Sequence, residues 1–215
     1  MNHETEIRFR TGDIELEGRI FLPDGAAAGC VVCHPHPLYG GNMHNNVVRG
    51  VADALAEAGF ATLRFNFRGV AGSGGTHAGG VGEVADVRAA ARALAEASRL
   101  SSVSVAGYSF GSTVALGFAR EEVAVPATLL ERVVAIAPPL VMFDASFAAG
   151  LPFPLLLLAG DRDEYCPRRD FESLAAELGP QGTSFVIEGA DHFFSGREAE
   201  VGGRVARFLG TTGEA

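Results

Sequence analysis

Short apolar runs alternate along the chain with segments in which apolar residues recur every three or four positions. Runs bounded by turn residues are typical of strands, and the longer recurrence is typical of helices with one buried face. Five helices are predicted, over about 45–59, 84–94, 112–120, 168–178 and 198–209. Eight strands are predicted, at Glu6–Arg10, Ile14–Leu22, Cys30–Cys33, Ala61–Phe67, Val103–Ala106, Val133–Ala137, Leu155–Ala159 and Ser184–Glu188.

The order of these elements indicates the fold class. The first two strands flank the turn Thr11-Gly12-Asp13, which suits an antiparallel hairpin. From Cys30 onward strands alternate with helices, which predicts a mostly parallel, doubly wound sheet. The later strands are continuous apolar runs, as expected when helices cover both faces of a sheet. We therefore expect an α/β protein, and its 215 residues favour one domain over 1–215.

The composition of the chain argues against several classes of protein function. All 17 basic residues are arginine, so the sequence has neither a P-loop lysine nor a Schiff-base lysine. The net charge of −9 and the pI near 5.1 oppose binding to phosphate backbones, which argues against a general nucleic-acid-binding protein. No apolar run reaches the roughly 18 residues of a membrane helix, and the charged N-terminus lacks the apolar region of a secretory signal. We expect a cytoplasmic protein with no membrane partner.

The three cysteines are expected to be reduced, because their number is odd and no secretory signal is visible. Cys30 and Cys33 have the spacing of a metal or redox pair. They lie in a predicted strand, however, where residues three apart face opposite sides of the sheet. A structural role in the core is therefore favoured over a metal or redox site.

Gly107-Tyr108-Ser109-Phe110-Gly111 lies between a predicted strand and a predicted helix. Gly-x-Ser-x-Gly at such a turn is typical of a nucleophilic serine, because the strained backbone there needs neighbours without side chains. The N-terminus of the following helix also favours developing negative charge. Ser109 could instead simply cap the helix, but motif and context together favour a nucleophile.

A serine nucleophile needs a base, and the base needs an acid to orient it. Of six histidines, His192 is the one that follows the last predicted strand, where its loop can reach the end of the sheet. A packed loop histidine is the alternative interpretation. Three acidic residues that follow strand Leu155–Ala159 compete for the role of the acid, and these are Asp161, Asp163 and Glu164.

These residues resemble the α/β-hydrolase superfamily, in which the triad follows the chain order Ser, acid, His. The resemblance extends over nearly the whole chain and is to the capless, dienelactone-hydrolase-like branch. The acid of this family often lies in a Gly-x-x-Asp-x-x-x-Pro turn, which Gly160, Asp163 and Pro167 match. The resemblance therefore implies Asp163 rather than Asp161 as the acid, with Asp144 a distant third.

The same resemblance implies an oxyanion hole, in which two backbone N–H groups stabilise the negative oxygen of the reaction intermediate. Phe110, directly after the nucleophile, is expected to donate one of them. In the loop after the third strand, Pro35 and Pro37 replace the family's glycine and carry no N–H, so His36 is expected to donate the other. His36 also forms a His-x-His pair with His34. Because no carboxylate lies near this pair in the sequence, we expect no metal and a structural hydrogen-bonding role for His34.

The glycine-rich loop of residues 69–82 resembles a structural loop of the family. Gly72 and Gly74 begin a Gly-x-Gly-x-x-Gly frame, but its sixth position is His77, which opposes nucleotide binding. Triad chemistry needs no cofactor, and none is expected.

Many members of the family carry a lid between the sixth and seventh core strands, but here residues 138–152 are too few for a helical cap. An open, partly apolar site is therefore expected, which suits a small or extended ester. The sequence identifies no exposed apolar surface, which disfavours long-chain lipase action. The residues predicted to wall the site are Leu38, Tyr39, Met43, Phe143, Phe147 and Phe193.

We predict a serine hydrolase that cleaves a carboxylic ester of a small molecule through an acyl-enzyme. A thioesterase or a small-peptide hydrolase would use the same residues and stays an alternative, as does a non-catalytic binding protein of the same fold. The sequence leaves the natural ester, its acyl-chain length and stereochemistry open, because fold does not imply substrate. It also leaves the oligomeric state open, with a homo-oligomer among the alternatives.

Overall fold

In a computed structural model, which describes residues 4–210, eight strands form one sheet and five helices pack on it. The strands are β1 Thr5–Thr11, β2 Ile14–Phe21, β3 Gly29–Cys33, β4 Ala61–Phe65, β5 Val103–Tyr108, β6 Leu130–Ile136, β7 Leu155–Gly160 and β8 Gly182–Ile187. The helices are α1 Asn46–Glu57, α2 Val81–Ser98, α3 Phe110–Glu122, α4 Arg168–Glu177 and α5 Glu198–Gly210.

The sheet has the strand order β1-β2-β4-β3-β5-β6-β7-β8. β2 pairs antiparallel with both β1 and β4, and all the other neighbouring strands pair in parallel. The α/β class, the N-terminal hairpin and the mostly parallel sheet predicted from the sequence are therefore confirmed.

Several element ends differ from the prediction for reasons visible in the hydrogen bonds. β4 ends two residues early, and the N–H of Phe67 leaves the sheet to donate to Nε2 of His34 (3.0 Å). α2 begins at Val81, inside the predicted loop, because the Glu83 carboxylate accepts the N–H of Gly80 (2.8 Å) and caps the helix. Two short 3-10 turns, Pro37–Tyr39 and Ser146–Gly150, were not predicted.

Helices cover both faces of the sheet and divide the core into two layers. Apolar residues of α1 and α5 pack against one face, and those of α2, α3 and α4 pack against the other. Cys30 and Cys33 of β3 belong to different layers, as expected for strand residues three apart. Burying each Val or Leu side chain contributes roughly 1.5–3 kcal/mol, so these two layers fix the sheet on which the loops are mounted.

The parallel strands bring their following loops to one edge of the sheet, its carboxyl edge. Between β6 and β7 the chain leaves this edge through irregular structure and one 3-10 turn, so residues 137–154 contain no helical cap. Among residues 4–210, no helix combines the length and the apolar character needed to cross a bilayer.

Candidate active site

Ser109 is the single residue between β5 and α3, and it has a backbone conformation that L-residues rarely adopt (φ 53°, ψ −121°). The turn is this sharp because two glycines allow close contacts. A Cβ on Gly107 would lie 2.1 Å from the carbonyl oxygen of Gly111, and a Cβ on Gly111 would lie 2.5 Å from that of Cys33. The Gly-x-Ser-x-Gly motif is thus required by the packing of α3 against β5 and β3.

The Ser109 side chain does not cap α3. Its Oγ lies 2.9 Å from Nε2 of His192, which is in the loop after β8. Nδ1 of His192 lies 2.8 Å and 3.0 Å from the two carboxylate oxygens of Asp163. An ionised carboxylate only accepts hydrogen bonds, so Nδ1 carries the proton and Nε2 is free to accept the serine hydroxyl.

Asp163 is buried in the loop after β7 and is held by backbone groups. Its Oδ1 accepts the N–H groups of Tyr165 (2.8 Å) and Cys166 (2.9 Å) as well as the bond from His192. These three donors hold the buried carboxylate in a fixed orientation toward the imidazole. The structure therefore joins the three residues predicted as the triad in one hydrogen-bonded chain.

The three other acid candidates lie elsewhere, and one of them, Glu164, is exposed. Oδ1 of Asp161 accepts the N–H of Gly189 (2.5 Å), so this carboxylate fastens the beginning of the loop that carries His192. Asp144 is exposed, and its Oδ1 accepts the N–H of Ser146 (2.9 Å).

Tyr108 is a contributor to the site that the sequence analysis missed. Its hydroxyl donates to the carbonyl oxygen of His192 (2.8 Å), and its ring lies 5.6 Å from the imidazole. Burial, followed by the negative charges of Asp163 and Asp191, raises the pKa of Tyr108, which keeps the hydroxyl protonated as a donor. Its place beside Ser109 in the motif was a signal, but its partner is 84 residues away in the sequence.

Phe110 and His36, the predicted oxyanion donors, lie side by side with their rings 4.7 Å apart. The N–H of Phe110 is the first of α3 and has no acceptor within the helix. His36 precedes the 3-10 turn Pro37–Tyr39, and its own carbonyl accepts bonds from Tyr39 and Gly41. Within residues 4–210 neither amide N–H donates to a protein acceptor, so both are available to a ligand.

His34 supports the loop that carries His36. Its Nε2 accepts the N–H of Phe67 (3.0 Å), so the proton is on Nδ1, which donates to the carbonyl oxygen of Pro35 (2.6 Å). Burial lowers the pKa of His34 to about 4, although the bond to Pro35 opposes the shift. The ring is therefore neutral near pH 7 and serves as a hydrogen-bonding strut beneath the loop.

The contact of His36 with His77, and of His77 with Glu83, was not predicted from the sequence. The His77 ring lies 5.0 Å from that of His36, and its Nδ1 lies 2.9 Å from the buried Glu83 carboxylate. Burial, followed by the neighbouring His77, lowers the pKa of His36. Within residues 4–210, no group of three or more His, Cys, Asp or Glu side chains could hold a metal ion.

Three of the six residues predicted to wall the site are exposed at the carboxyl edge. Leu38 is 71% exposed, Tyr39 is 82% exposed and lies beside the His36 ring (4.9 Å), and Phe193 is 58% exposed and lies beside the His192 ring (5.7 Å). Four further apolar residues at this edge were missed, because loop exposure has no sequence period. These are Val81, Val141, Met142 and Tyr165.

The structure places the other three residues in other contacts. Met43 is buried, and its N–H donates to Asn66 (2.8 Å). Phe147 packs under Arg120 (5.1 Å), which is eleven residues and therefore about 16 Å along α3 from Ser109. Phe143 contacts Phe147 (ring distance 6.0 Å) and packs against the core. Tertiary packing therefore covers Met43 and partly covers Phe143 and Phe147.

Comparison with known proteins gives a match to the family model of the alpha/beta hydrolase fold over residues 32–150. The chain is also 34% identical to the uncharacterised protein RP471 of Rickettsia prowazekii, over 95% of this chain and 88% of that protein. These matches cover Ser109 and extend on both sides of it.

Two solved structures are similar over almost their whole length. An alpha-beta serine hydrolase homologue from Coxiella burnetii is 33% identical with a TM-score of 0.83, over 97% of this chain and 98% of that one. XC6422 from Xanthomonas campestris, described as an a/b serine hydrolase without lid, is 30% identical with a TM-score of 0.82, over 98% of this chain and 97% of that one. The similarity supports hydrolase activity.

Proposed function

We propose that this chain, which belongs to the alpha/beta hydrolase family, is a serine hydrolase that cleaves a carboxylic ester through a Ser109 acyl-enzyme. The hydrogen-bonded chain from Ser109 through His192 to Asp163 carries the proposal. A free serine hydroxyl is a poor nucleophile. Here Nε2 of His192 lies 2.9 Å from Ser109 Oγ and can accept its proton, which activates the oxygen for attack.

In the first half of the reaction, Ser109 Oγ attacks the acyl carbon while its proton passes to Nε2 of His192. The carbonyl oxygen becomes negative and is stabilised by the N–H groups of Phe110 and His36. The tetrahedral intermediate then expels the alcohol, whose oxygen takes the proton from Nε2. Asp163 stabilises the imidazolium that exists between these two proton transfers.

In the second half, water replaces the alcohol beside His192. Nε2 accepts a proton from this water, and the resulting hydroxide equivalent attacks the acyl-enzyme. The second oxyanion occupies the same pair of N–H groups, and the proton returns to Ser109 Oγ as the acid leaves. The site lacks a helical cap over residues 137–154, which favours small or extended esters that are exchanged readily.

The proposal is tested by intact-mass analysis after brief exposure to a fluorophosphonate, together with turnover of a short-chain ester. We expect one adduct on the wild type and none on Ser109→Ala, with ester turnover reduced by at least about 10⁴-fold in the variant. Ser112→Ala is the matched control, because its hydroxyl donates to the Ser109 carbonyl (2.6 Å) and not to His192. Absence of the adduct on folded wild type, or turnover by Ser109→Ala, would contradict the proposal.

A further inference from the structure

Exposed apolar side chains are concentrated around the proposed site. Ten large apolar side chains are exposed within residues 4–210, and seven of them follow strands at the carboxyl edge, leaving Leu22, Val123 and Val125 elsewhere. This surface corrects the expectation from the sequence that none would be present. The seven are Leu38, Tyr39, Val81, Val141, Met142, Tyr165 and Phe193.

Four of the seven belong to the His192 side of the site. The Tyr165 ring lies 4.7 Å from the His192 ring, and the Phe193 ring lies 5.7 Å from it at an angle of 85°. The carbonyl of Tyr165 accepts the N–H of Val141 (3.2 Å), so the loop after β6 joins the same surface. We call Val141, Met142, Tyr165 and Phe193 the His192-side patch.

Leu38 and Tyr39 belong to the His36 side of the site. They are in the 3-10 turn that follows His36, and Tyr39 contacts the His36 ring (4.9 Å). This side therefore adjoins the amides that receive the carbonyl oxygen in the proposed reaction.

The proton path assigns the two sides to different parts of an ester. The leaving oxygen must lie within hydrogen-bond reach of Nε2 of His192, because it takes its proton from that atom. The carbonyl oxygen must point instead toward the N–H groups of Phe110 and His36. The substituent on the leaving oxygen is therefore the part of the substrate that meets Tyr165 and Phe193, whose rings contact the imidazole.

We propose that the His192-side patch binds the alcohol part of the substrate and that this part is an apolar aryl or alkyl group. The inference rests on the proposed function and specifies its substrate class. Tyr165 is 43% exposed and Phe193 is 58% exposed, so a group laid against them removes apolar surface of both partners from water. Aromatic rings also offer a preferred stacking surface to an aryl group.

The assignment has a kinetic consequence. The alcohol departs when the acyl-enzyme forms, so the patch acts on acylation and is unoccupied by substrate during deacylation. Removing a patch side chain should lower kcat/KM for esters of large apolar alcohols, while the hydrolysis rate of a given acyl-enzyme stays the same. A side chain that merely held His192 in place would slow both steps.

The test measures kcat/KM for methyl, butyl and benzyl acetate, which share one acyl group. We expect the wild type to prefer benzyl over methyl acetate beyond their ratio in alkaline hydrolysis. Tyr165→Ala and Phe193→Ala should each lower that preference about tenfold, the size expected for loss of an apolar contact with substrate. Tyr165→Phe keeps the ring and should keep the preference.

Leu22→Ala is the matched control, because Leu22 is also 43% exposed and follows β2 at the opposite edge of the sheet. It should leave the preference unchanged, and thermal melting checks that each variant is folded. Three results would overturn the inference: a wild type without the preference, equal losses on methyl and benzyl acetate in the patch variants, or a loss in Tyr39→Ala as large as in Phe193→Ala. Absence of any Ser109-dependent turnover would instead contradict the proposed function.

Discussion

The two loops that bring histidines to the carboxyl edge are held in different ways. The loop with His192 is fastened by side chains from other elements: Tyr108 bonds the His192 carbonyl, Asp163 bonds its ring, and Asp161 bonds the N–H of Gly189. The loop with His36 is held mostly by its own backbone, through the bonds that Tyr39 and Gly41 make to the His36 carbonyl.

This difference matches what each loop is proposed to do. A ring that transfers protons must keep both nitrogens aligned with partners on other elements, which requires long-range bonds. An oxyanion donor needs only a backbone N–H at the right place, which a tight local turn supplies. Long-range bonds are present here too: His34 accepts the N–H of Phe67, and the N–H of Met43 donates to Asn66.

The largest expected effect comes from a substitution that removes the proton-transfer function of His192 without moving its loop. Asp163→Asn keeps the size of the side chain but removes the charge that fixes the Nδ1–H tautomer and stabilises the imidazolium, so kcat should fall about 10³–10⁴-fold. Asp161→Asn should lower kcat less than about tenfold, because it weakens one bond to a backbone N–H. Steady-state kinetics on one ester compare the two, and the opposite order would make Asp161 the acid.

The next effect concerns the strut beneath the His36 loop. The pKa of His34 is 6.5 in the unfolded chain, and burial lowers it to about 4 in the folded protein. Between these values the unfolded state holds more protons, so the free energy of unfolding falls as the pH falls through this window. The loss contributed by His34 is about 3 kcal/mol once complete.

Urea unfolding of the wild type and His34→Gln at pH 7 and near pH 4.5 measures this loss. The glutamine oxygen can still accept the Phe67 N–H but does not titrate. The wild type should therefore lose more stability than the variant on acidification. Parallel losses in the two proteins would show that His34 does not titrate as inferred.

The smallest effect tests one fastening of the His192 loop. Tyr108→Phe removes the hydroxyl that bonds the His192 carbonyl and leaves the buried ring in place, so the free energy of unfolding should fall by about 1 kcal/mol. The same bond aligns His192 with Ser109 in the transition state. Loss of about 1 kcal/mol of transition-state stabilisation corresponds to a fall in kcat of about fivefold, which is the result we expect. Tyr165→Phe, at a half-exposed tyrosine, is the control and should change neither quantity, as measured by thermal unfolding and kinetics on methyl acetate.

Much of the fold and the geometry of the site could be anticipated from the sequence. Continuous apolar strands indicate a sheet that helices cover on both faces, and Gly-x-Ser-x-Gly indicates a sharp turn that only glycine neighbours permit. Both signals are local, so Ser109 and the strand that precedes it are readable without tertiary information. The order of the loops along the chain then pointed to His192 and left Asp161, Asp163 and Glu164 as candidate acids, and the resemblance to the α/β-hydrolase superfamily implied Asp163.

The remainder depended on contacts that have no local signature. The bond from Tyr108 to the His192 carbonyl joins residues 84 apart, and nothing in the pattern of either segment indicates it. Phe147 and Phe193 look alike in the sequence, as aromatic residues in loops after strands. Packing under Arg120 covers the first, whereas the second lies exposed beside His192, and only the folded chain distinguishes them.

The bond from Tyr108 has a mechanical consequence for the reaction. Tyr108 directly precedes Ser109, so the residue that holds the His192 backbone is covalently joined to the nucleophile. We therefore expect a displacement of the end of β5 to move the serine and the backbone of the histidine together. The distance between Ser109 Oγ and His192 Nε2 should then change less when this edge of the sheet moves than it would if the two residues were held independently.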